Sequence, residues 1–367
     1  MATCNAQGTA YGPCAGEVLP APDDCTTMLD QNCDGITTAC AAPLWSKRFG
    51  GAADDVGHDV AIDTSGNIAT TGYFNGSVDF GGGALVSTAM SNDIYIAKYD
   101  TAGAHLWSKR FGDAADQHGR GVAFDPAGNV FASGPFSGAV DFGGGALASA
   151  GLDDIFLVKL DPAGGHLWSK RFGDAALQTA LGRNLAVDPN GDPIITGTVQ
   201  GSIDFGGGAL TSAGGDDVFV AKFSAAGAYL WGKRFGDASN QVPRGMAVDG
   251  SGNVVIVGTI LGTIDFGCGL LTSAGARDVF VAKLSPAGAC LWSKRFGDAA
   301  DQTGRGAAFD PAGNLYVVGD FGGTIDFGGG VLTTVGGTNM FVAKFDAAGG
   351  HLWSKRYGTG GVPRALS

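Results

Sequence analysis

Glutamate is nearly missing from this chain: Glu17 is the one glutamate among 35 acidic residues. An enzyme that cleaves glycosidic bonds with paired acids would have to build them from aspartate, such as Asp153-Asp154 or Asp216-Asp217. Charge is sparse, with 16% of residues ionisable, and the balance is −12. That sign argues against a nucleic-acid partner, which needs a basic face. No apolar run reaches the roughly 18 residues of a membrane-spanning helix. Met1-Ala2-Thr3 is not followed by the apolar core of a signal peptide. No stretch carries a helical period, and no P-loop, GxSxG elbow or HExxH is present.

Cysteine is unevenly spread. Five of seven, Cys4, Cys14, Cys25, Cys33 and Cys40, fall in the first forty residues. That density points to disulfides and an oxidising compartment, so a secreted or cell-surface protein is expected, its signal peptide lying outside this sequence. Residues 1–43 have no hydrophobic period and read as an irregular segment. Within it, Asp30, Asn32 and Asp34 alternate before Gly35, the way a short loop wraps a hard cation such as calcium. An EF-hand glutamate is missing, since position 41 is Ala, so a disulfide-bound acidic turn is the competing reading.

What is abundant is repetition. LWSKRFG occurs at 44–50, 106–112, 167–173 and 291–297, with LWGKRFG at 230–236 and LWSKRYG at 352–358. All six tryptophans lie in it, spaced 62, 61, 63, 61 and 61 residues apart. Between copies come four runs of strand formers. In one repeat they are GVAFD (121–125), NVFASGPF (129–136), DIFLVKL (154–160) and HLWSKRFG (166–173). The turns DPAGN and DPAGG join first to second and third to fourth, with Pro presetting one turn dihedral and Gly taking positive φ. Four antiparallel strands repeated around an axis make an all-β propeller. Ala61, Ala123, Ala186, Ala247 and Ala308 recur two residues before the turn Asp, where inner strands crowd the axis.

DVGHDVAIDTSGNIATTGYF and its copies resemble the bacterial β-propeller repeats called SBBP and, more distantly, NHL repeats. The resemblance runs from Leu44 onward and implies that GVAFD is the innermost strand and LWSKRFG the outermost. It implies no activity, since propellers host lectins, enzymes and scaffolds alike. PAPDDCTTMLDQNCDG in turn resembles the Cys-rich "DCDG" metal-binding segments of secreted myxobacterial proteins.

The expected organisation is therefore 1–43 irregular and 44–367 propeller. Five complete blades fall at about 57–112, 119–173, 182–236, 244–297 and 305–358. Two partial strands remain, 44–50 and 362–366, the first and last strands of an unfinished sixth blade. Three outcomes are open: missing sequence completes it, five blades close alone with 44–50 at the seam, or another chain completes it. Self-closure is expected, with end-to-end self-association as the alternative.

His58, Arg120, Arg183, Arg244 and Arg305 stand five residues before each turn Asp and would ring one channel mouth. Clustered guanidinium groups suit an anion or acidic glycan; the plainer expectation pairs each with an Asp of the preceding loop, such as Asp116 or Asp301. One Asp per DFGGG loop (Asp79, Asp141, Asp204, Asp265, Asp326) and one Lys per third strand (Lys98, Lys159, Lys222, Lys283, Lys344) suggest an ion pair or loop cap. The Lys-Arg of LWSKRFG is expected on a solvated edge. Cys268 and Cys290 are expected at opposite ends of their blade and unpaired with each other. No blade shows an extra cluster of acids or histidines. A non-enzymatic extracellular binding or structural module, its ligand a glycan or a protein, is thus expected; a polysaccharide hydrolase or lyase at the channel mouth is the alternative.

Overall fold

A computed structural model describes residues 45–358. The chain divides into two compact units, Met1–Arg48 and Phe49–Ser367. Of the first, only Trp45–Arg48 are described, and they form no strand. The partial strand 362–366 and the ligand set Asp30, Asn32 and Asp34 lie outside the described residues.

The second unit is all β among the described residues, and five four-stranded meanders account for most of it. The first consists of Asp55–Ile62, Ile68–Phe74, Asp93–Tyr99 and His105–Phe111. The second runs from Gly121–Phe124 to His166–Phe172, the fourth from Gln241–Val248 to Cys290–Phe296, and the fifth from Gln302–Phe309 to His351–Tyr357. In the third, the inner strand is split into Gln178–Thr179 and Leu185–Val187, and both pair with Pro193–Val199. A three-residue hairpin, such as Ser77–Asp79 with Ala84–Val86, folds out between second and third strands of each meander.

The turns behave as their residues dictate. Asp125 Oδ1 accepts the backbone N–H groups of Ala127 and Asn129 at 3.0 and 2.9 Å, and Gly128 takes φ 79° to close the loop. The third-strand lysine then bonds this turn Asp: Lys159–Asp125 is 2.9 Å, Lys222–Asp188 2.7 Å, Lys283–Asp249 3.0 Å and Lys344–Asp310 3.0 Å. In the first meander Lys98 donates to the carbonyls of Gly128 and Pro162 instead. The DFGGG aspartates are not the lysines' partners. Asp79 caps its own loop, accepting from the N–H groups of Gly81 and Gly83.

Each conspicuous residue of LWSKRFG has a separate task. The Trp indole N–H crosses to the next sheet: Trp107 to Pro162 O at 2.9 Å, Trp168 to Ala225 O at 3.2 Å, Trp231 to Pro286 O at 2.9 Å and Trp292 to Ala347 O at 3.3 Å. The Phe enters the next sheet's core, with Phe111 on Phe142, Phe172 on Phe205, Phe235 on Phe266 and Phe296 on Phe327. The Arg does not lie on a solvated edge. It pairs with a fully buried third-strand Asp, as Arg234 does with Asp217 at 2.6 Å, because that carboxylate also caps the hairpin loop and needs a cation to be buried. In the fifth sheet Asn339 replaces the Asp, and Arg356 donates to it at 2.9 Å.

The expected strand over 44–50 is not formed at Trp45–Gly50, since no second or third strand of its own blade is there among the described residues to pair with it. Phe49 nevertheless sits on Phe80 and Tyr99, both at 5.4 Å, the place a preceding blade's Phe would fill. At the other end, the middle strands Leu315–Phe321 and Asn339–Phe345 alternate buried and half-buried residues, whereas those of the second to fourth sheets are buried throughout. Four apolar clusters join successive sheets from first to fifth, and none joins the fifth to the first among the described residues.

Cys268 and Cys290 form a disulfide, against the expectation that their loops lie apart. The small hairpin doubles back onto the outer strand and brings them together. Elsewhere the same two positions hold Gly against a ring: a Cβ on Gly82 would meet His105 at 2.3 Å, and one on Gly207 would meet Tyr229 at 2.3 Å. Where the ring is replaced by Cys290, room opens for Cys268.

Candidate functional site

The inner strands surround a channel. Ala61, Ala123, Ala186, Ala247 and Ala308 all line one 320 Å³ cavity, so the small side chains do lie where the inner strands converge. One end of this channel carries the turns, with Asp63, Asp125, Asp188 and Asp249 around a 310 Å³ hollow. Burial of those carboxylates is outweighed by hydrogen bonds, first from an Asn side chain (Lys222 for Asp188) and then from turn N–H groups, which hold their pKa values below the usual range.

The opposite end gathers the five basic positions. His58, Arg183 and Arg305 line a 440 Å³ cavity between the inner strands of the first and fifth sheets. Arg120 reaches His58, its Nη1 lying 3.3 Å from Nδ1. Arg244 lies close enough to Arg305 and Arg277 for their charges to lower its pKa, after burial, which lowers it most. Their partners are not the loop aspartates expected. Arg183 spans the channel to Asp59, at 3.2 Å, and to Val60 O at 3.0 Å. Arg305 Nε donates to Asp320 on the neighbouring strand. Asp301 binds Arg277, and Asp116 accepts from the backbone of Asn92. Arg120 and Arg244 make no ion pair among the described residues, and the Nε of each is buried without a partner.

This is also where the repeat fails. His58-Asp59 replaces the Arg-Gly of three other inner strands. Gly is demanded there by crowding: a Cβ on Gly245 would meet Gly306 Cα at 2.7 Å. Asp59 escapes because its strand borders the cavity. The third inner strand is two residues longer than the others between its Gln and turn Asp, and the excess, around Gly182 at φ 65°, projects Arg183 across the mouth. Tyr73 and Asp320 occupy a position that is Pro135, Thr198 and Thr259 elsewhere. His118 faces Tyr73 at 4.5 Å between ring centroids, and Tyr73 faces His58 at 5.5 Å. The mouth instead gathers residues of several sheets, His58 and Asp59 of the first, Arg183 of the third and Arg305 of the fifth. Sequence reasoning missed Asp59, Tyr73, His118 and Asp320; their departure from the other copies was the available signal.

The electrostatics follow from burial. Burial, then the charges of Arg120 and His118, lower His58 from 6.5 to about 4, so the imidazole is neutral. Because an Arg120 N–H points to Nδ1, the proton sits on Nε2, which is buried with no partner. Burial raises Asp59, opposed by Arg183 and by the N–H groups of Val122 and Val60. No group of three or more His, Cys, Asp or Glu among the described residues is placed to hold a metal ion, and no helix there is long and apolar enough to cross a membrane.

Residues 291–320 match the family model "Beta-propeller repeat", SBBP. The chain is 29% identical over 412 residues to an uncharacterized WD repeat-containing protein of Acanthamoeba polyphaga mimivirus, an alignment covering 88% of this chain and 29% of that protein. Together with the five meanders, these matches support a repeat β-propeller fold. The chain spans less than a third of its curated relative's length. Solved structures with a likeness include a protein of unknown function from Bacteroides caccae, 11% identical over 72% of this chain and 90% of that one, TM-score 0.36. A gluconolactonase from Xanthomonas campestris is 17% identical over 72% and 69%, TM-score 0.37, and a puromycin hydrolase 12% identical over 81% and 38%, TM-score 0.39. Likeness at this level carries no argument about activity.

Proposed function

We propose that this propeller is a non-enzymatic extracellular binding module whose ligand seat is the channel mouth where the repeat breaks. The observation that carries this reading is convergence. His58, Asp59, Arg183 on its lengthened loop, and Arg305 held by Asp320 come from three sheets and meet around one cavity. A scaffold alone has no need for its copies to differ at one end of the channel and agree at the other. The two carboxylates at the mouth, Asp59 and Asp320, are each held by an arginine, which favours binding over acid–base chemistry. The disulfide at exposed Cys268 supports an oxidising compartment.

The test is calorimetric titration of the purified chain with a panel of acidic and neutral oligosaccharides and small organic acids, with product analysis alongside. Binding without consumption is expected. Turnover of any member that disappears in Asp59→Asn would move the protein to the hydrolase or lyase class, and no binding by any member would overturn the seat.

A further inference from the structure

Resting on that reading, we infer that the seat takes a monocarboxylic acid with a compact apolar body, the carboxylate on Arg305 and an acceptor atom on His58. Asp320 binds the Nε edge of Arg305, which fixes the guanidinium plane. The two terminal nitrogens of that plane have no partner among the described residues. Left together, they form the fork that matches a carboxylate bidentately. Asp320 is thus a positioning residue. His58 also lines the cavity, and its Nε2 is a buried donor without a partner. A buried donor without a partner is costly, and a ligand acceptor removes that cost.

The remaining wall selects the body of the ligand. Val60, Val318, Ala307, Ala308 and the ring of Tyr316 line the cavity. They offer little to a hydroxyl-rich ring and much to an aryl or branched alkyl group. The volume of 440 Å³ sits at the small-molecule end of ligand sites and excludes a polymer from the interior. Arg120 and Arg244, which make no ion pair among the described residues, add positive charge at the same mouth.

Phenylacetate is the probe, titrated into the full chain beside 2-phenylethanol, glucuronate and inorganic phosphate. Phenylacetate is expected to bind about tenfold or more tightly than the neutral alcohol, since a charge-assisted fork is worth about that factor or more, and more tightly than glucuronate, whose hydroxyls the apolar wall leaves unpaired. Arg305→Gln should remove the preference for the acid over the alcohol. Arg305→Lys, which keeps the charge and loses the fork, should retain part of it, with circular dichroism confirming that both variants fold. Equal binding of alcohol and acid, or tighter binding of glucuronate or phosphate, overturns the ligand class and leaves the seat standing if His58→Ala weakens it. Phenylacetate binding that is unchanged in both Arg305→Gln and His58→Ala overturns the seat itself. No uptake of any of the four probes overturns the inference.

Discussion

The two ends of the channel are built by the same five inner strands and differ in kind. At the turn end, five aspartates accept the same pair of backbone N–H groups, and four of them meet a lysine within 3.0 Å. At the other end, equivalent positions hold His58 or Arg, Asp59 or Gly, Tyr73 or Asp320. Repetition is what stability alone selects, because each blade meets the same packing problem and solves it the same way. Divergence concentrated at one end therefore marks the place with another task. The difference predicts a division of effects: changes to the repeated parts should cost stability, and changes at the mouth should cost binding.

The largest expected effect is in the repeated scaffold. Asp217→Ala strips the partner from Arg234 and the cap from the loop at Ala213. It should cost about 3 kcal/mol, the lower end for breaking a buried pair, because Arg234 keeps some solvent contact. Urea denaturation measures this, and a loss under about 1 kcal/mol would mean the pair is not structural. The complementary change is at the mouth. His58→Arg with Asp59→Gly restores the repeat there. It should cost only about 1–2 kcal/mol, chiefly for the lost acceptor of the Val122 N–H. A cost equal to that of Asp217→Ala would erase the contrast.

The single change His58→Gln gives a pH test. A histidine whose folded pKa lies below 6.5 binds protons less readily when folded, so stability falls as pH drops from 6.5 toward 4. The parent should lose stability over that window, and His58→Gln should lose less, with Asp59, raised by burial and opposite in slope, present in both. His118, also lowered by burial, leaves part of the slope in both. Identical slopes would mean that His58 is not held neutral.

Much of this was legible in the sequence, for a physical reason. Strands and turns are local, so DPAGN and the alternating runs announce them, and the five axial alanines announce the channel. The tasks within LWSKRFG were less legible. Arg234 lies 17 residues from Asp217, across a hairpin, and spacing does not say which of several aspartates is buried. The Cys268–Cys290 bond is not legible from strand direction alone, because the DFGCG segment is not a simple loop. Its three-residue hairpin reverses the direction on which the objection rested. The mouth was hidden most deeply, since Arg183 and Asp59 meet across a channel from sheets that are not neighbours.

The smallest expected effect concerns that disulfide. Cys268→Gly with Cys290→His installs the pair that three other blades use. Loop-closure entropy for a bridge of 22 residues suggests a loss near 3 kcal/mol. The account expects under about 1 kcal/mol in thermal unfolding, because the ring of the new histidine would pack on Gly as His105 does on Gly82. A full 3 kcal/mol loss would show that the fourth blade depends on its bridge.

The most direct test of the contrast is a crystallographic fragment screen of the unmodified chain, scored by which end of the channel is occupied. The account predicts fragments in the 440 Å³ cavity beside His58 and Arg305, and none held by the turn aspartates. Fragments gathered at the turn end, with the mouth empty, would contradict it.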